Sequence, residues 1–265
     1  MVGATKERLR RYIATEKRTF EEALADFPRQ RDDAIQVMLR LKNVTSIPEV
    51  AEVLDLGAGA GQRVVALTQA GYWPTGVEPW EAARSTAAAL AKRIGVDITM
   101  TDARAEDLPF EADRFDVVLA CSVVEHVIDL DRVLSEVYRV LKPRGVFYFN
   151  TASSMCPRQA EIRGFPLFGW YPDRLKRHIM NWAKVHKPHL VNYTDTPAIH
   201  WFTPAKAYRL LRQVGFREVY DRWDLRSRAG LSGLKRGIVK AICASIILRT
   251  VADVVLPGCA YAAVK

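Results

Sequence analysis

From Glu52 onward, short runs rich in Val, Leu, Ile and Phe alternate with stretches whose apolar residues recur every three to four positions. The runs at 52–56, 75–78, 97–101, 115–120 and 146–150 read as strands. Residues 62–70, 81–94 and 130–141 read as helices, with a weaker helix near Arg104. Such alternation predicts an α/β domain whose mostly parallel sheet is covered by helices on both faces, with right-handed crossovers and ligands at the carboxyl ends of the strands. Farther on, a helix over 204–214 stops at Gly215, and 216–223 reads as a sixth strand. A helix over 231–252 and a closing strand over 258–264 complete seven strands. Residues 4–43 carry apolar positions at helical spacing (Leu9, Tyr12, Ile13, Phe20, Leu24, then Ile35, Val37, Met38, Leu41). They predict two helices broken near Phe27-Pro28, which either cap a pocket or pack on the core.

With 265 residues, about half of them apolar, the chain can bury one large core. The expected layout is an N-terminal helical cap over 1–50 and a main domain over 51–265. The latter carries an insert over 151–203 and an extra amphipathic helix over 229–255. Cys121, Cys156, Cys243 and Cys259 are far apart and form no CxxC pair, which argues against a zinc site or disulfide framework. Residues 1–20 are charged and lack an export-type apolar stretch, so a cytoplasmic setting is expected. The net charge of +9 is unevenly spread: 51–150 carry −5, whereas 151–228 carry +8 and 229–265 carry +4. A basic excess outside the strand-rich segment fits either acidic partners or a solvated surface.

The candidate chemistry begins where Val53-Leu54-Asp55-Leu56 runs into Gly57-Ala58-Gly59-Ala60-Gly61. Glycines at alternate positions let the backbone bend sharply beside a ligand, and the following helix directs its free N–H groups there. The dinucleotide GxGxxG spacing fails, because Gln62 stands at its sixth position, and the phosphate-binding Gly-Lys-Ser/Thr ending is absent. The strings VLDLGAGAG, GVEPW, TDARAEDLPF, FDVVLACSVVEHV and LKPRGVFYFN, in this order, resemble the motif series of class I S-adenosylmethionine-dependent methyltransferases. The resemblance is strong over 50–150. It is weaker over 198–224, where His200-Trp201-Phe202-Thr203 and Gly215-Phe216 carry it.

The resemblance implies a Rossmann-like, doubly wound, mostly parallel seven-stranded sheet with an antiparallel last strand, a helical N-terminal extension and an insert before the sixth strand. It implies S-adenosyl-L-methionine as cofactor. Gly57, Ala58, Gly59 and Gly61 would pass beside its methionine portion, with Asp55 near the amino group. Glu78 would accept from both ribose hydroxyls, with Pro79 and Trp80 near the adenine or ribose edge. Asp102 would accept from the adenine amino group and Ala103 would offer a backbone N–H, while Cys121 and Ser122 line the site. The plainer alternatives are a surface acid at Glu78, a turn former at Asp102 and a packing residue at Trp80.

The sulfonium already activates the methyl group, so the protein must align the nucleophile and exclude water, and no metal is required. A hydroxyl acceptor must also lose a proton, a task suited to histidine. His126, just past the fourth strand, and His200 are the candidate bases. His178, His186 and His189 lie in the basic insert, where solvated and acceptor-facing roles are not separated. Nucleic acid is disfavoured as acceptor, because Ala120-Cys121-Ser122-Val123 replaces the Asn/Asp-Pro-Pro-aromatic run of amino-directed DNA methyltransferases. Aromatics of the insert and nearby (Phe165, Phe168, Trp170, Tyr171, Trp182, Tyr193, Trp201) among cations suit either an acceptor with a flat part and an acidic part or a satellite core. The 231–252 helix is broadly apolar with cations around it. Its cover is the sheet, a second subunit or an anionic membrane surface. The expected function is methyl transfer to a small-molecule, glycan or lipid-linked acceptor, at oxygen. The rivals are C- or N-methylation of a quinone-like or amine acceptor, and a non-catalytic scaffold that binds the cofactor at a membrane.

Overall fold

The computed structural model describes residues 18–159, 161–191, 197–226 and 232–265. Leu9, Tyr12, Ile13, Tyr193 and Leu231 of the expected elements lie outside them. The first described helix, α1 (Phe20–Leu41), is opened by a capping box. The Thr19 hydroxyl accepts the Glu22 N–H, and the Glu22 carboxylate accepts the Thr19 N–H. The expected break at Phe27-Pro28 does not occur, and Pro28 sits exposed within one continuous 22-residue helix. Its lost hydrogen bond is offset by the buried stripe on both sides of it, Ala23 and Phe27 before, Ala34, Met38 and Leu41 after.

The main domain then runs β1 (Glu52–Leu56), α2 (Gln62–Gln69), β2 (Trp73–Val77), α3 (Glu81–Ile94), β3 (Thr99–Thr101), β4 (Phe115–Cys121), α4 (Leu130–Val140) and β5 (Leu141–Thr151). After the insert come α6 (Pro204–Val214) and β6 (Glu218–Asp221). Two further helices lead to β7 (Cys259–Val264). One seven-stranded sheet results, in the order β3-β2-β1-β4-β5-β7-β6, with β7 antiparallel to both neighbours and the others parallel. The order reverses between β1 and β4, so their carboxyl ends open a crevice. Alternation along β5 divides the core. Phe147 and Phe149 pack with Val133, Leu134 and Leu211 on one face. Val146 and Tyr148 pack with Met38, Leu67 and Leu90 on the other.

Three local expectations are corrected. The weak helix near Arg104 is a tight turn closed by an Arg104–Asp107 bridge. The insert over 151–203, where no helix or strand is expected, contains α5 (Asp173–His186), whose buried stripe is Lys176, Met180 and Ala183. A lysine in that stripe masks the periodicity. Lys176 is held by Asp173 at 3.2 Å and lies 4.9 Å from the Trp201 ring centroid. The single helix expected over 231–252 is a pair, α7 (Gly233–Ala244) and α8 (Ile246–Val255). They part at Ser245, whose extended backbone and hydroxyl, accepting the Leu248 N–H, start a new helix. Among the described residues no helix is long and apolar enough to cross a membrane.

Candidate active site

The bend after β1 is set by left-handed glycines. Gly57 has φ +61° and a Cβ there would lie 2.6 Å from Val123; Gly61 has φ +69° and a Cβ would lie 2.4 Å from Ala87. Any side chain at either position meets both a backbone penalty and a clash. This bend and the ends of β2, β4 and β5 enclose a cleft of about 620 Å³. α1 forms its roof through Gln30, Asp33, Gln36 and Arg40, polar residues on the helix flank beside the buried stripe. α1 therefore both caps the cleft and packs on the core.

Of the residues named from sequence, Gly57, Ala58, Glu78, Pro79 and Trp80 line this cleft, as do Ala103, Cys121, Ser122 and His126. Glu78 is buried. Its Oε2 accepts the Gly59 N–H at 2.9 Å and its Oε1 the Trp80 N–H at 3.2 Å, which ties the end of β2 to the glycine bend. Burial raises its carboxyl above the usual range, and the two N–H donors oppose that shift. Each oxygen retains a lone pair for a hydroxyl donor. Burial likewise pushes the Cys121 thiol up to about 11, so it stands in the wall as a neutral thiol.

Asp55, Gly59 and Gly61 stand behind the wall rather than in it. Asp55 is fully buried, and its Oδ1 accepts from the Arg63 guanidinium at 2.7 Å. Burial raises its carboxyl and the neighbouring guanidinium works against that. Its Oδ2 has no hydrogen-bond partner among the described residues. A buried carboxylate oxygen without a donor, beside a bend that no Cβ would fit, suits the ammonium of an amino-acid moiety, and Glu78 suits a diol. The residues present therefore fit S-adenosylmethionine.

Two further expected positions are not in the cleft. The Asp102 side chain is 70% exposed and turned onto Arg84, whose guanidinium donates to it at 2.9 Å. The adjoining wall is formed by Ala103, Arg104 and Ala105 instead. His200 also lines neither cavity: its Nε2–H donates to the Val127 carbonyl at 2.9 Å. The backbone N–H groups of Ile199 and His200 meet the Glu125 carbonyl at 2.7 and 3.2 Å. His200 thus braces the loop that carries Glu125 and His126 from behind. Burial lowers its pKa.

A second cavity, of about 1160 Å³, adjoins the first and shares Gln36, Arg40, Ser122, Tyr148 and Asn150 with it. Arg40, Arg158, Arg222 and Arg226 line it, against the carboxyls of Glu125 and Glu161. Sequence reasoning missed Glu125, which is 4% exposed and accepts the Thr151 hydroxyl at 2.8 Å. Burial pushes its carboxyl up to about 8. An acid beside His126, four positions past the end of β4, was the signal that could have found it. Arg63 and the polar flank of α1 were missed as well. The insert contributes to this cavity mainly through Ala152, Arg158, Gln159 and Glu161. Its described aromatics do not. Phe168 and Trp201 are buried in a satellite core with Met180 and Ala183, and Trp170 and Trp182 are exposed at the surface. His178, His186 and His189 are exposed too.

A doubly wound sheet with a glycine bend after its first strand and a buried acid closing its second defines a nucleoside-binding α/β domain. Residues 54–149 match the methyltransferase domain family. Over these residues the chain carries a methyltransferase domain, similar to that of the class I S-adenosylmethionine-dependent methyltransferases. It is 37% identical over 101 residues to a ubiquinone biosynthesis O-methyltransferase of Pseudomonas entomophila, covering 38% of this chain and 44% of that one. The enzyme of the same description from Rickettsia canadensis is 29% identical over 141 residues, 52% of this chain and 57% of that one. The chain thus spans about half the length of the curated relatives it matches. Its fold is shared with phosphoethanolamine N-methyltransferase 2 of Haemonchus contortus, solved with S-adenosyl-L-methionine. The TM-score is 0.55 at 19% identity, over 87% of this chain and 52% of that one.

Proposed function

We propose that the chain transfers the methyl group of S-adenosylmethionine to an oxygen of a small-molecule acceptor seated in the second cavity. The observation that carries this reading is the junction of the two cavities at Ser122, Tyr148 and Asn150. There His126 stands on the cofactor side and Glu125 on the acceptor side. When bound, the cofactor supplies an electrophilic methyl group for in-line displacement. Asp55 and Glu78 hold its two ends, and the glycine bend lets the backbone approach. The roof of α1 excludes water. Glu125 accepts the acceptor's hydroxyl proton, its raised carboxyl range being matched to neutral pH, and His126 lies within the same loop as the second proton acceptor. His200 is a positioning residue for that loop. Four arginines around the second cavity support an acceptor that also carries an acid group, and Tyr148 and Trp223 support a flat ring beside it. The likeness to ubiquinone biosynthesis O-methyltransferases supports oxygen as the atom methylated.

The test is incubation of the full chain with S-adenosylmethionine and a panel of hydroxybenzoates, catechols and amines, read by mass for one added methyl group. Methylation of acidic phenols, at oxygen, is expected. His126→Ala is expected to lower kcat by about tenfold to 100-fold. His200→Ala is expected to lower it by a smaller factor while leaving the pH profile unshifted. Turnover confined to amines or to ring carbon, or equal kcat in wild type and His126→Ala, would contradict the assignment.

A further inference from the structure

Eight of the eighteen exposed large apolar side chains among the described residues fall within 232–257, the α7–α8 hairpin. Leu234 is 79% exposed, Ile246 78% and Ile247 71%. On α8 the exposed Leu248, Val251 and Val255 recur at spacings of three and four, on the face opposite the buried Asp253, which accepts the Trp223 indole N–H at 3.0 Å. On α7, Leu234 and Ile238 are exposed one turn apart while Val239 is buried. This is an amphipathic surface turned outward, larger than scattered exposed residues require.

Its charge names the occupant. Lys235, Arg236 and Lys240 are exposed on α7, and the only acid of the hairpin, Asp253, is buried. A second copy of the chain would set these cations against each other, since a two-fold interface presents like patches. An anionic lipid surface complements both features: aliphatic side chains enter the headgroup boundary while lysines and arginine meet the lipid charge. Neither helix, at 12 and 10 residues, does more than lie in that boundary. The hairpin is also continuous with the second cavity. Trp223 and Arg226 shortly before it, and Pro257 and Gly258 directly after α8, line that cavity.

We propose that the α7–α8 hairpin docks the protein on an anionic bilayer, so that the mouth of the second cavity faces the lipid boundary. An acceptor with an apolar tail then enters from the membrane, its reacting ring reaching the junction while the tail remains outside.

The measurement is co-sedimentation of the full chain with vesicles of phosphatidylcholine alone and of phosphatidylcholine with phosphatidylglycerol. Ile247→Asp/Val251→Asp and Lys235→Glu/Lys240→Glu variants are compared with wild type, and circular dichroism checks that all are folded. Wild type is expected to partition onto the anionic vesicles and to be released at high salt. The aspartate pair is expected to lose more than tenfold in partition. The glutamate pair is expected to lose at least about 25-fold, at about fivefold per cation removed, because the added carboxylates are repelled as well. Partition onto neutral vesicles equal to that onto anionic ones, or variants that sediment like wild type, would overturn the proposal. So would light scattering that shows a wild-type dimer split by the aspartate pair, which assigns the face to a second copy. Vesicle binding requires no cofactor or turnover, so its failure would leave the methyl-transfer reading standing.

Discussion

Replacing Glu125 with glutamine is expected to lower kcat by about 100-fold to 10,000-fold while making the fold more stable. Both effects have one cause. In the folded protein the carboxyl keeps its proton up to about pH 8, because burial in the wall of the second cavity disfavours the anion. In the unfolded chain it ionises near 4.5. Between those values the unfolded state binds fewer protons than the folded one, so stability falls as pH rises from about 5 to about 8. At about 1.4 kcal/mol for each pH unit, the loss reaches several kcal/mol, of order four. Glutamine carries no such charge, and it can still accept from the Thr151 hydroxyl. Urea unfolding at pH 5 and pH 8 checks this: the stability gap between variant and wild type should widen with pH. A constant gap would contradict it. In turnover, the wild-type rate should rise with an apparent pKa near 8, and the variant should lose that rise.

The second large effect falls on the buried ion pair behind the glycine bend. Asp55→Asn leaves the Arg63 guanidinium, whose side chain is only 17% exposed, without its counter-charge. A loss of about 3–5 kcal/mol in stability is expected, since removing one partner strands the other. Combining it with Arg63→Met should recover part of that stability, because no charge is then stranded in the buried site. The double variant should nonetheless bind S-adenosylmethionine poorly, having no carboxylate for its ammonium. Chemical denaturation and calorimetric titration of both variants separate the two roles. Full recovery of cofactor affinity along with stability would show that Asp55 only balances Arg63.

Those two carboxylates illustrate how far the residues could be read before any coordinates. The sheet was legible because its strands are buried on both faces and therefore appear as apolar runs. The bend was legible because only glycine tolerates its backbone, and Glu78 because it closes a strand. What could not be read depends on neighbours distant in sequence. Asp102 is diverted by Arg84, eighteen positions earlier, and Asp55 is neutralised by Arg63. His200 is turned to Val127, more than seventy positions before it. α5 stayed hidden because its buried stripe contains Lys176, which no hydrophobic periodicity reports. Pro28 signalled a break that the buried faces of α1 override, and Ser245 gave the opposite error, a cap taken for a helix interior. The aromatics of the insert were equally compatible with a pocket and a satellite core until Phe168 and Trp201 were found buried together.

The binding of S-adenosylmethionine to the cleft at the switch point underlies both the site and the chemistry, and calorimetric titration tests it most directly. Wild type should bind the cofactor and its demethylated product saturably, in one equivalent. Glu78→Ala, with both ribose acceptors removed, should bind about 100-fold more weakly or worse, with Glu78→Gln between them. No heat of binding with wild type, or the same affinity in Glu78→Ala as in wild type, would contradict it.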